Sequence, residues 1–214
     1  NYLPYSLELI TGSTSDYTRA SKSSVFKGKT IHKLIAPIDE KKFKPGDKEA
    51  AKSYFKIAPE KKVIFYGAYV LSDMRKGGKF FLEALHILKR DLEENDQGIK
   101  PSDFLLLVAC KERINSFDNT GISILQTGYL NNEDLVKAYQ AADFFVCSSV
   151  EDSGPLMVNQ SIMCGTPVVS FDTGVSMDVV HSGITGYRAR LFDANDLANG
   201  MRYILSLNGE EHEK

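Results

Sequence analysis

Cysteine is scarce in this chain of 214 residues: Cys110, Cys147 and Cys164 are the only three, and they stand far apart. No Cys/His spacing suited to zinc or to a redox pair occurs, so the thiols read as buried and free, as in a reducing cytosol. An excess of charge of one sign is also lacking. Lys and Arg number 26 against 28 Asp and Glu, and the formal net charge of −2 argues against a general polyanion binder, which would carry a basic stripe. No apolar run approaches the ~20 residues that cross a bilayer, and no signal-peptide pattern follows Asn1. Position 1 is not Met, which reads as a fragment or processed form. There is no internal repeat. The four histidines are scattered: His86 falls in a helical apolar pattern, and His181 sits near a glycine turn.

The content is that of a globular protein with one main domain, 43% hydrophobic. From Val63 onward, short apolar runs alternate with helical periodicity, the pattern of βαβ units. Strands are expected at Val63–Tyr66, Phe104–Ala109, Ile122–Gln126, Phe144–Cys147, Pro167–Phe171 and Tyr187–Ala189. One intervening helix carries Phe80, Phe81, Ala84, Leu85, Leu88 and Leu92 at spacings of three and four. A second, capped by Asn131 or Asn132, carries Leu135, Val136, Tyr139 and Ala142. A third follows Gly154, a short fourth begins near Val175, and a fifth runs from about Asn195 to Leu207. This predicts an α/β, Rossmann-like parallel sheet with helices on both faces and right-handed crossovers. The turn after the first of these strands is Gly67-Ala68-Tyr69, without Gly-x-Gly-x-x-Gly, which argues against a NAD-type domain.

The chemistry concentrates where Asp143-Phe144-Phe145-Val146-Cys147, apolar like a covered parallel strand, gives way to Ser148–Gly154. Ligands of such sheets bind at the carboxyl ends of strands. Gly154 lets a ligand approach the backbone, and Pro155 suits the first turn of a helix. Leu156 and Met157 then offer backbone N–H groups to an anion, which Pro155 lacks. Glu151 and Asp152 can accept hydrogen bonds from hydroxyls; as neighbours they point apart and make a poor facing pair for glycoside hydrolysis, and an acidic helix cap is the plainer alternative reading. Lys76, in Met74-Arg75-Lys76-Gly77-Gly78, is a point charge suited to phosphate or a solvated surface turn. Asn159 and Gln160 are two amides in an otherwise apolar helix, costly if buried without partners.

The run Glu151 to Val169, ending in Cys164-Gly165-Thr166-Pro167-Val168-Val169, resembles the acidic signature of GT-B glycosyltransferases of family 4 (glycosyl transferases group 1). That family's pattern is Glu, seven residues, Glu, then the Cys-Gly-Thr-Pro-Val-Val stretch. Counting forward from the turn, Glu151 matches the first acid; counting back from Gly165, Asp152 does. Gln160 stands where the family has its second glutamate, the expected holder of the donor ribose, and an amide can still hydrogen-bond a hydroxyl without carrying charge. The arginine frequent after the strand's glycine is replaced by Ala68, and Arg75 is the candidate substitute.

The resemblance implies a site. Glu151 and Lys76 are its catalytic residues. Arg75, Lys76, Gly128, Tyr129, Leu130, Asp152, Gly154, Pro155, Leu156, Met157 and Gln160 bind the nucleotide sugar, with Tyr129 equally readable as core. Asp172-Thr173-Gly174 line the sugar pocket, with Asp178 a further candidate. Residues 1–45, whose Ile31–Ile35 reads as a strand and whose Ala36–Asp39 resembles the family's linker entry, are the expected tail of the amino-terminal domain and linker. Residues 46–214 are the expected nucleotide-sugar-binding domain, lacking its final helix. The implied function is transfer of sugar, with retention and without an obligatory metal, from a UDP- or GDP-sugar to a glycan or lipid-linked acceptor in polysaccharide or glycoconjugate synthesis. The implied enzyme is of the hexosyltransferase type, cytoplasmic, with any peripheral contact at the inner membrane face made by the absent first domain. The isolated fragment should then be nearly inactive. A catalytically decayed binding module and a GT-B phosphorylase or epimerase are the alternatives.

Overall fold

The structure is a computed structural model, described here for residues 7–68, 72–94, 99–111 and 120–210. Tyr69 and His212 lie outside the described residues. In chain order the elements are β1 (Leu9–Thr11), α1 (Thr14–Lys22), β2 (Ile31–Lys33), α2 (Lys48–Tyr54), β3 (Lys62–Gly67), α3 (Gly78–Glu94), β4 (Phe104–Ala109), β5 (Ser123–Gln126), α4 (Asn132–Ala141), β6 (Phe144–Cys147), α5 (Leu156–Met163), β7 (Val168–Phe171), α6 (Ser176–Val179), β8 (Gly186–Ala189) and α7 (Ala194–Glu210).

Strands β3 to β8 form one sheet in the order β5-β4-β3-β6-β7-β8, and every pairing is parallel. The chain therefore builds outward from β3 to β5, then returns to the other side of β3 with β6. Neighbouring crossovers diverge at that reversal, which opens a crevice at the carboxyl ends of β3 and β6. The expected Rossmann-like parallel sheet is what the chain forms.

Alternation along the strands explains why both faces are covered. Ile64, Tyr66, Leu106 and Val108 enter one core with Phe81, Leu85 and Leu88 of α3 and Leu197, Met201 and Ile204 of α7. Val63, Phe65, Leu107 and Phe145 enter the other with Tyr139 of α4 and Val158 of α5. Tyr66 stacks on Phe81, ring centroids 4.2 Å apart. Asn131, rather than Asn132, caps α4, its side chain accepting from the N–H groups of Glu133 and Asp134.

The first 60 residues differ more from the reading of the sequence. A two-stranded parallel sheet joins β1 to β2, and β2 stops at Lys33, two residues short of the expected Ile35. The stretch Glu40–Lys48 lies on the domain: Phe43 is 4% exposed and packs into the second core. Asp47 then caps α2, which the sequence reading left out. Seven residues with one apolar face are too short for periodicity to declare a helix.

Candidate functional site

The crevice is built by tying two loops together. After β3 the chain makes a single 3₁₀ turn, Met74–Lys76, and ends it at Gly77 with φ +65°, in the left-handed region. There a Cβ would run into the carbonyl oxygen of Ser148, so glycine is needed both for backbone conformation and for close approach. Three hydrogen bonds complete the seam. Ser148 Oγ donates to the Lys76 carbonyl (2.9 Å), and Val150 and Glu151 N–H both donate to the Arg75 carbonyl (2.8 and 3.4 Å). Tyr66 from β3 reaches Ser148 Oγ at 3.4 Å; burial drives its phenol well above the usual range, so it stays protonated.

This seam delivers Lys76 to the acidic loop. Its Nζ lies 2.6 Å from Asp152 Oδ2, with the Asp152 side chain 16% exposed. The other carboxylate oxygen, Oδ1, accepts from Gly154 N–H at 3.2 Å and shapes the turn before α5. The two acids do point apart. Glu151 is 63% exposed and faces outward to Arg19 of α1 at 3.6 Å. The fold thus brings Asp152, and not Glu151, to Lys76. Arg75 does not join them: its guanidinium forks onto Asp73 at 2.8 and 3.2 Å, and those hydrogen bonds hold the Asp73 carboxyl below its usual range.

Helix α5 begins at Leu156, and Pro155, expected in the first turn, is instead the capping residue with φ −62° and ψ +104°. Its side chain makes no capping hydrogen bond. The Val158 N–H closes back onto the Pro155 carbonyl at 2.9 Å, and the N–H groups of Leu156 and Met157, without a protein partner among the described residues, are left to a ligand or water. Proline at the cap has a purpose in this reading: a Ser or Asp there would occupy the donors itself.

The first turns of α5 also floor a pocket of about 290 Å³, bounded by Ala68, Ala109, Cys110, Lys111, Tyr129, Leu130, Asn132, Leu135, Leu156, Met157 and Gln160. Five of the expected nucleotide-binding residues thus line one cavity. Gly128, at φ +76°, turns the chain after β5 so that Tyr129 projects at 69% exposure; it is a surface residue, not core. Lys111 Nζ lies 5.6 Å from its ring centroid. Lys111 was missed by the sequence reading, although its place just beyond the end of β4 is the signal that would have found it. Gln160 Oε1 accepts from the Tyr139 hydroxyl at 3.2 Å, and the adjacent Asn159 donates to the Ala36 carbonyl at 3.4 Å while its Oδ1 has no partner among the described residues. A larger hollow, about 610 Å³ over Lys42, Asn131, Glu133 and Lys137, includes none of the loops that follow β3 or β6.

Two candidates for the sugar pocket are otherwise engaged. Asp172 is paired with Arg188 at 3.0 Å. Asp178 is nearly buried and holds Thr14 and Lys33, far away in sequence. Gly174, at φ +56°, packs so closely that a Cβ would strike the Asp152 carbonyl oxygen. Among the described residues, no group of three or more His, Cys, Asp or Glu side chains is placed to hold a metal ion.

A parallel sheet in this order, with a lysine and an exposed helix start at the crevice where the order reverses, defines a Rossmann-like ligand-binding domain of the kind found in GT-B glycosyltransferases. The family "Glycosyl transferases group 1" matches residues 60–207, and the chain belongs to it as a carboxyl-terminal GT-B domain. D-inositol 3-phosphate glycosyltransferase of Mycobacterium sp. (strain KMS) is 28% identical over 176 residues, covering 79% of this chain and 38% of that protein. Sulfoquinovosyl transferase of Arabidopsis thaliana is 30% identical over 89 residues, 40% of this chain and 18% of its own. The chain thus spans well under half the length of the curated relatives it matches. Among solved structures, HepE of Anabaena in complex with UDP and glucose superposes with a TM-score of 0.71 at 16% identity, over 95% of this chain and 54% of that one. Sucrose-phosphate synthase of Thermosynechococcus elongatus also gives 0.71, at 20% identity over 93% and 49%.

Proposed function

We propose that this chain binds the nucleotide-sugar donor of a glycosyltransferase, as the carboxyl-terminal half of its catalytic cleft. The observation that carries the reading is Lys76 held at the start of α5, whose next turns floor the cavity lined by Tyr129, Leu130, Met157 and Gln160. A nucleoside diphosphate has this shape: an anion that needs a cation and N–H donors, joined to a base and ribose that need an apolar and hydrogen-bonding cavity. In sugar transfer the diphosphate is the leaving group, and charge develops on it as the glycosidic bond breaks. A positioned lysine and an uncapped helix start favour that charge more than the ground state. The solved relative with UDP and glucose bound is consistent with this division of labour.

In this reading the donor is a UDP- or GDP-sugar, the protein's own cations offset the leaving charge, and the product retains the donor's anomeric configuration through same-face attack. The acceptor, a glycan or lipid-linked sugar, is placed by the amino-terminal domain, of which residues 1–45 are the tail and linker. Any contact with a membrane surface runs through that domain; no helix among the described residues is long and apolar enough to cross one. Alone, residues 46–214 would bind donor and turn over little, because the second reactant is not positioned. Calorimetric titration with UDP, GDP and their sugar conjugates tests the proposal. Binding of one nucleotide, weakened in Lys76→Ala, is expected; binding of neither by the full-length enzyme would favour a decayed module.

A further inference from the structure

Residues 7–34 contribute two strands, one short helix and a 3₁₀ turn at Ser24–Phe26, with Ile10 65% and Leu34 61% exposed, yet they are fastened tightly at one point. Asp178 of α6 takes three hydrogen bonds from them. Its Oδ2 accepts from Thr14 N–H at 2.8 Å; its Oδ1 accepts from Thr14 Oγ1 at 2.5 Å and from Lys33 Nζ at 2.8 Å. Lys33 Nζ also donates to Thr14 Oγ1 at 2.9 Å, which closes a triangle around a carboxylate only 5% exposed. A carboxylate so buried is tolerated only when it is paired and its oxygens are occupied.

The fastening lies next to the anion site. Thr14 is two residues beyond Gly12, which faces the loop before α5 across space for about one methyl group: a Cβ on Gly12 would lie 3.9 Å from the Ser153 carbonyl oxygen, and one on Gly154 the same distance from the Gly12 carbonyl oxygen. From the other side, α6 begins two residues after Gly174, which abuts Asp152. Asp178 therefore bridges the two walls between which the Asp152–Gly154 turn is held.

We propose that Asp178 is a positioning residue for diphosphate binding: by clamping Thr14 and Lys33 it holds the Gly12 turn against Ser153 and Gly154, and so keeps the start of α5 aimed at the anion. This rests on the donor-site reading above. It also predicts a division within the ligand, since the cavity around Tyr129 and Gln160 shares no residue with the clamp.

The test uses the full-length chain, titrated calorimetrically with UDP, GDP, uridine and guanosine. For the nucleotide that the wild type binds, the ratio of the Kd of the nucleoside to that of its diphosphate measures what the diphosphate contributes. In Asp178→Asn and Lys33→Gln that ratio should fall about tenfold, as expected for loss of a charge-assisted contact, with nucleoside affinity unchanged. Lys33→Arg, which keeps a cation on Asp178, should retain the wild-type ratio. Lys33 is 41% exposed, so its variants decide the matter should Asp178→Asn fail to fold. An unchanged ratio in Lys33→Gln, or equal weakening of nucleoside and diphosphate, would overturn the inference while leaving the donor site standing. A wild type that binds neither diphosphate would instead bring down the donor-site reading, and this one with it.

Discussion

Lys76 and Asp152, 76 residues apart in sequence, meet at 2.6 Å beyond the ends of β3 and β6. In this state the cation that would hold a diphosphate is neutralised by a carboxylate that also turns the chain before α5. Donor binding must therefore compete with an internal anion, and removing either partner should have opposite effects on affinity. Lys76→Ala should weaken binding of the preferred nucleoside diphosphate by about ten- to a hundredfold. Asp152→Asn keeps an oxygen for Gly154 N–H but not the charge, and should tighten binding of the same diphosphate several-fold while lowering sugar transfer. Calorimetry on both variants, with turnover by the full-length enzyme, checks the pair.

Gly77 carries the seam between the two loops, and its replacement should be among the most damaging single changes. Gly77→Ala must accommodate φ +65° and a methyl group against the Ser148 carbonyl oxygen. A loss of about 2–4 kcal/mol in urea unfolding is expected, together with loss of diphosphate binding because Lys76 is displaced.

Gln160 is set by a buried neighbour. The Tyr139 phenol, fully buried, donates to its Oε1, which leaves the amide nitrogen for the cavity. Gln160→Glu would give the phenol a charged acceptor and the cavity a carboxylate oxygen. Tighter binding of a ribonucleoside, by up to about tenfold, is expected. The 2′-deoxy counterpart should gain less, and side-by-side titration measures the difference. Tyr139→Phe should cost about 1 kcal/mol in unfolding free energy.

Stability below pH 4 should report on the Asp178 clamp. Burial alone would raise this carboxyl, but hydrogen bonds from Lys33 and Thr14 outweigh it and hold it below the usual range. A group whose folded value is depressed stabilises fully above its unfolded value, ~3.9, and loses that contribution as the pH falls through the folded one. The stability difference between wild type and Asp178→Asn, from urea unfolding, should thus be full at pH 6 and smaller at pH 3.

The cysteines should be inert in the native state. Cys110, Cys147 and Cys164 are 1%, 8% and 4% exposed, and burial pushes the Cys164 thiol up to about 11 and raises that of Cys147 as well. Alkylation at pH 8 should be slow for all three and become fast in urea, as followed by mass spectrometry.

The parallel sheet was legible because each of its strands is a short apolar run bounded by polar turns, and α3 and α4 because three- and four-residue spacing recurs over several turns. Helix α2, too short to show a period, was not. At the candidate site, the turn at Gly154, the Lys76-Gly77 pair and the Gly128–Leu130 stretch stand out in the sequence because each follows a strand end and carries glycine or charge. The approach of Asp152 to Lys76 and the contacts of Lys111 with Tyr129, Arg19 with Glu151 and Thr14 with Asp178 are tertiary, and no local pattern encodes them; Arg75 pairs with Asp73, two residues before it.

Local chemistry, then, determined the elements and the kinds of group available at their ends, since propensity, periodicity and turn residues act over a few positions at a time. The pairings were decided only in three dimensions. Asp152 rather than Glu151 faces Lys76 because the Ser148–Glu151 backbone is hydrogen-bonded to the Arg75–Lys76 turn, and Asp178 became a clamp because α6 was brought against Thr14 and Lys33. These contacts join residues more than 70 positions apart: the order of strands in the six-stranded sheet brings the ends of β3 and β6 together, and the docking of the β1–β2 unit on α6 brings Thr14 and Lys33 to Asp178.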